Sequence, residues 1–173
     1  SPLSPAAPAV VAMPLVPFES LPDDARLWVF AAAADVDSAD APKLLHNVDL
    51  FLKSWAAHGN PLTCAREWRD ARFLIVAVDQ RTEGASGCSI DGLFRTLKQL
   101  EPVVGTSLLT SGLVHFRDAI HMVHAISRED FERMARQRGV DADTPVFDTT
   151  VTTAGAYRAG FERKAGESWH AQR

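Results

Sequence analysis

The sequence predicts one α/β (α+β) domain, with a mixed central sheet of about five or six strands and three main helices, behind an extended arm. Three features carry this. The apolar run FLIVAV at 73–78 has the composition of a strand buried on both faces. Two segments, 40–57 and 90–100, repeat apolar residues at the helical i, i+3, i+4 spacing. Residues 1–17 hold five of the ten prolines and no charged side chain, which favours extended backbone over helix. At 173 residues and 46% hydrophobic the chain suits a single core, so the domain is placed at 18–173 with a polar C-terminal tail.

In chain order, the string LPDDARLWVF gives a turn at Pro22 and Asp23 and a strand around 27–30. The first helix buries Leu44, Leu45, Val48, Phe51, Leu52 and Trp55. Asp40 is its expected cap, Pro42 suits its first turn, and His58, Gly59, Asn60 and Pro61 are its expected stop. A strand follows near 64–68, with a turn at Arg69 and Asp70 before the central strand. The second helix presents Ile90, Leu93, Phe94, Leu97 and Leu100, and should end at Pro102 and Gly105. A hairpin is expected to pair 113–117 with 120–126 across Asp118 and Ala119. Ser127 caps a third helix with Phe131, Met134 and Ala135 inside and Gly139 at its close. The β-branched VFDTTVTT stretch suggests one or two further strands before the tail that bears Trp169.

The net charge of −4 argues against a nucleic-acid partner, which would reward clustered Lys and Arg. Cys64 and Cys88 are too few for a disulfide framework and lack CxxC spacing, so a reducing compartment is expected. The apolar N-terminal run is broken by Pro8 and Pro14 and has no basic start, which predicts neither a signal peptide nor a membrane span. The expectation is a cytoplasmic protein, at most peripheral to a membrane complex, with no cofactor.

The stretches PFESLPDDARLW, FLKSWAAHGNPL, FLIVAVDQ, ASGCSID, TPVFDTTVTT and SWH, spread over most of 17–170, resemble a family of small bacterial proteins of uncharacterised activity. Members of that family often carry the label "ABC transporter ATPase". The resemblance starts at Met13, which makes residues 1–12 an addition of this chain, and it implies no particular reaction. The label itself has no support in the residues, because a phosphate-binding P-loop needs Gly-Lys followed by Ser or Thr. Lys43, Lys53, Lys98 and Lys164 follow Pro, Leu, Leu and Arg.

The main chemical candidate is the loop Gly87, Cys88 and Ser89, where open amides at a helix start favour an anion and a thiolate. His58 or Asp79 would then be the base. The plainer reading gives Gly87 a turn, Ser89 a cap and Cys88 a packing role. No CxxxxxR pattern follows, since Phe94 stands at the sixth position and Arg95 at the seventh. His115, His121 and His124 diverge if the segment is a strand, with His121 set opposite Phe116, so no metal site is expected. Asp79, Asp91 and Asp148 could gather at one sheet end, although such residues more often cap turns.

The arm residues Val10, Val11, Met13, Leu15 and Val16 would each gain roughly 1.5 to 3 kcal/mol on burial. Ordering the arm costs about 1 to 2 kcal/mol per residue, so it needs an apolar groove, on its own domain or on a partner. The preferred function is a non-catalytic accessory or scaffold subunit that binds other proteins through these residues and Trp169. The alternative is a small enzyme or anion-binding protein built on Cys88.

Overall fold

A computed structural model describes residues 15–168; Val10, Val11, Met13 and Trp169 lie outside the described residues. The apolar run becomes β5 (Phe73–Asp79), all seven residues of which are buried. Antiparallel neighbours flank it on both sides: β1 (Arg26–Ala31) pairs Trp28 with Val76, and β4 (Thr63–Arg69) pairs Ala65 with Ala77. β4 and β5 are joined by a tight turn in which Asp70 and Ala71 take left-handed φ of 58° and 53°.

The expectation of one mixed central sheet is corrected here. The architecture is α+β, with three separate sheets and four helices among the described residues, and every paired strand is antiparallel. At one point on each outer edge of the three-stranded sheet, a non-strand segment is bonded to the edge strand. Beyond β4, Leu15 bridges Cys64 and the Val16 amide donates to the Cys64 carbonyl at 2.8 Å. Beyond β1, Arg26 bridges Thr153 and the Leu27 amide donates to the Thr152 carbonyl at 2.9 Å. The later strands form their own sheet.

Between β1 and β4 lie α1 (Ala41–Lys53) and a two-residue hairpin, β2 (Ala56–Ala57) and β3 (Asn60–Pro61). α1 buries Leu44, Val48 and Leu52, as its periodicity requires. Asp40 makes no side-chain cap; instead Asp37 Oδ1 accepts from the Ala39 amide at 2.8 Å. The helix also ends before Trp55, whose indole Nε1 donates to the Ser89 carbonyl at 2.8 Å. His58 and Gly59, with φ of 52° and 79°, are therefore the hairpin turn and not a helix stop.

After β5 comes α2 (Gly87–Val104), which buries Leu93, Leu97, Leu100 and Val104. It runs on past Pro102, which removes only one amide donor, and closes on Gly105 at φ 69°. Ile90 is only half-buried and Phe94 is 40% exposed, its ring edge-on to Phe30.

The second sheet has the order β7-β6-β8-β9, from β6 (Leu113–Arg117), β7 (Val123–Ser127), β8 (Pro145–Phe147) and β9 (Glu162–Lys164). β7 begins at Val123, so the hairpin turn is longer than expected. The Ser127 hydroxyl caps α3 (Arg128–Arg136) by accepting from the Asp130 amide. α3 buries Phe131 while Ala135 stays exposed, and the left-handed residue after it is Arg138 at φ 60° in place of Gly139. The VFDTTVTT stretch yields only β8. The chain then caps α4 (Ala154–Gly160) with Thr153, a helix the sequence reading lacked.

Strand alternation sorts the side chains into layers. Phe30, Cys64, Leu74, Val76 and Val78 meet α1 and α2, while Leu27, Ala65, Phe73, Ile75 and Ala77 meet Phe147, Tyr157 and Phe161. On the far side of the second sheet, Val114, Phe116 and Val146 pack on Phe131 and Val140. No helix of the described residues is long and apolar enough to cross a membrane.

Candidate functional site

The loop before α2 is closed by serines. The Ser89 amide donates to Ser86 Oγ at 3.2 Å and the Ser86 amide donates to Ser89 Oγ at 2.8 Å, a reciprocal cap in which Ser86, not Ser89, holds the cap position. Gly87 and Cys88 are exposed on the first turn. Among the described residues no hydrogen bond joins Cys88 to either proposed base. Asp79, at the end of β5, takes Arg81 instead: its two oxygens accept from Arg81 Nε at 3.0 and 3.1 Å, and Oδ2 accepts from Nη2 at 2.7 Å. Hydrogen bonding from that guanidinium holds the carboxyl below its ordinary pKa, which suits an ion pair better than a proton acceptor. His58 sits exposed at the tip of the small hairpin.

The carboxylates and histidines disperse as well. Asp91 is exposed on α2 and Asp148 accepts from the amide and hydroxyl of Thr150. Among the described residues no group of three or more His, Cys, Asp and Glu is placed to hold a metal ion. His124, not His121, stands opposite Phe116, stacked on its ring at 5.1 Å between centroids. His121 occupies the turn at φ 68°. His115 is buried between the two sheets, edge-on to Phe73, and its Nδ1 has no hydrogen-bond partner. Burial first, and the nearby Arg72 charge second, push its pKa down to about 4.

Two arrangements escaped the sequence reading. The first is a polar seam between the sheets. Arg72, 6% exposed, donates to the carbonyls of Ala32, Ala33 and Val123 at 3.4, 3.1 and 3.0 Å and to Asp35 at 2.8 Å. Beside it, Arg69 and Arg117 each bridge the same two carboxylates. Arg69 reaches Asp70 at 3.0 Å and Glu162 at 2.9 Å; Arg117 reaches Glu162 at 2.7 Å and Asp70 at 3.1 Å. The resulting ring of four charges lies over Phe147, with both guanidinium carbons within 5.5 Å of that ring's centroid. Its only local signal is the Arg69-Asp70 pair at the turn.

The second is a cleft of about 580 Å³ between the β6–β7 turn, the end of α3 and the segment leading to β8. Phe116, Ile126, Met134 and Val140 supply its apolar lining, with Asp118, Asp141 and Asp143 among its charged groups. Asp118 organises the turn. Its Oδ1 accepts from the amides of Ile120 and Met122, both at 2.9 Å, and its Oδ2 meets His124 Nε2 at 2.6 Å. The hydrogen bond from His124 is the main reason that its pKa is lowered. So held, the turn leaves two large apolar side chains, Ile120 and Met122, 77% and 48% exposed. An Asp followed by apolar residues two and four positions on was the signal available in the sequence.

Leu15 and Val16, the described part of the arm, are half-buried against the chain's own clusters on either face of the central sheet. No family model, no curated protein and no solved structure matches this chain.

Proposed function

We propose that the protein is a non-catalytic accessory subunit that binds other proteins. The observation that supports this reading is apolar surface held out on a rigid turn: Ile120 and Met122 are fixed outward by three bonds to one carboxylate. Burying them against a partner would contribute roughly 1.5 to 3 kcal/mol each, without a further ordering cost for the turn. The sequence supplies further apolar side chains for such a contact at Val10, Val11 and Met13, just ahead of Leu15 and Val16, which meet β4. The alternative built on Gly87, Cys88 and Ser89 has less behind it. Its carboxylate is paired with Arg81 and its serines with each other.

A photo-crosslinking residue in place of Ile120 or Val11, irradiated in a lysate of the source cells, tests the proposal. A discrete protein adduct at either position, absent from the same probe at the exposed Leu50 on α1, is expected. If neither position gives an adduct beyond the control, the reading fails.

A further inference from the structure

We infer that the cleft beside the β6–β7 turn docks a partner segment in which a basic side chain stands between apolar ones. This rests on the protein-binding reading above, and adds the place and the chemistry.

The lining supplies the argument. Its floor is apolar, with Phe116 stacked on His124 and Met134 rising from α3. Ile120 and Met122 stand exposed on the same turn as Asp118 and Ala119, which line the cleft, and their amides are bonded to Asp118. A partner segment that enters the cleft past Asp118 and Ala119 therefore also passes the turn that carries Ile120 and Met122.

Charge decides what such a segment must carry. The basic side chains of the lining, Arg117 and His124, already have partners, while Arg138 lines the adjoining hollow with Asp141. Arg117 is closed into its ring by Glu162 at 2.7 Å and Asp70 at 3.1 Å, and His124 is bound to Asp118. Asp141 and Asp143 remain on the rim, both exposed, Asp143 by 83% of its side chain. Lys164 approaches Asp143 only at 3.6 Å with 59% of its own side chain in solvent, a pairing that water screens heavily. The rim is thus net negative over an apolar floor. A guanidinium or ammonium group placed there meets two carboxylates, whereas an acidic partner meets like charge. The rim is also preformed: the Asp141 amide donates to Thr144 Oγ1 at 2.9 Å, and Asp141 Oδ1 accepts from the Asp143 amide at 2.8 Å.

The test titrates the full chain, labelled for amide NMR, with an acetylated and amidated peptide of alternating leucine and arginine. Parallel titrations use the same peptide with glutamate for arginine, and methylguanidinium alone. Saturable shifts at Ala119, Ile120, Met122, Val140 and Asp141 are expected from the arginine peptide, with none from the glutamate peptide. Two exposed-site variants then separate the contributions. The pair Ile120→Ser with Met122→Ser, and the pair Asp141→Asn with Asp143→Asn, should each weaken the peptide about tenfold. The asparagines keep the rim's turn, because their side-chain oxygen still accepts the same amide. Equal binding of the glutamate peptide, shifts confined to another face, or methylguanidinium binding as tightly as the peptide would each overturn the docking site. A cellular partner that cross-links to the chain yet binds the Ile120→Ser, Met122→Ser variant undiminished would overturn this site while leaving the protein-binding reading in place.

Discussion

His115 makes the fold sensitive to acid, by an amount that can be worked out. Its pKa falls from the ordinary 6.5 to about 4 because the ring is buried between the sheets and faces the Arg72 charge. The folded chain therefore binds this proton less readily than the unfolded chain does. The stability this represents is fully present above pH 6.5 and is lost as pH falls toward 4. At about 1.36 kcal/mol per pKa unit, the full loss is about 3 kcal/mol, of which about 2.5 kcal/mol should appear between pH 7.5 and 4.5. Urea denaturation of the wild type and of His115→Leu at both pH values isolates it, since every carboxylate titrates alike in the two chains. Leucine also removes the partnerless Nδ1 from the interior. The wild type should lose about 2 to 3 kcal/mol more than the variant over that interval. Equal losses in the two chains, or a His115 resonance titrating near 6.5, would refute the reasoning.

Three other outcomes follow from the buried contacts. Arg72→Met should cost about 3 kcal/mol or more by urea denaturation, because it strands the carbonyls of Ala32 and Val123 inside the seam; a loss below about 1 kcal/mol would show that the seam is not structural. Arg117→Met should cost about 2 kcal/mol, and a double-mutant cycle with Glu162→Gln should show coupling of about 1 kcal/mol or more; additive effects would mean that the four-charge ring acts as independent surface pairs. A thiol reagent should modify Cys88 in the native chain and reach Cys64 only on unfolding, since burial pushes the Cys64 thiol up to about 12; equal rates at both would contradict the buried placement.

The parts of this fold legible in the sequence are those fixed by local periodicity. The run at 73–78 could be read as doubly buried because no polar residue interrupts it, and Leu44, Val48, Leu52 and Leu93, Leu97, Leu100 mark helix faces at any tertiary arrangement. The division into separate sheets rests on pairings between segments far apart in sequence, such as β6 with β8, so no local pattern announces it. α4 was hidden by its own composition. The segment AGAYRAG has two glycines and follows a β-branched run, and it is held as a helix by the Thr153 cap and by the bond from the Tyr157 hydroxyl to Glu67. Trp55 lies in register with the α1 stripe but leaves the helix for the Ser89 carbonyl, a choice made by tertiary contact.

The candidate site divides in the same way. Gly87, Cys88 and Ser89 were correctly placed at a helix start, yet which serine caps it depended on geometry. The cleft draws on β6, β7, α3 and the segment before β8, and its acidic rim comes from two loops; only the Asp118 turn carries a local signature.

The most direct test of a protein-binding role centred on the cleft is amide hydrogen exchange of the chain alone and in complex with its cross-linked partner. Slowed exchange at residues 118–124 and 139–145 is predicted. Slowing confined to the α1 and α2 face, with those two segments unchanged, would contradict it.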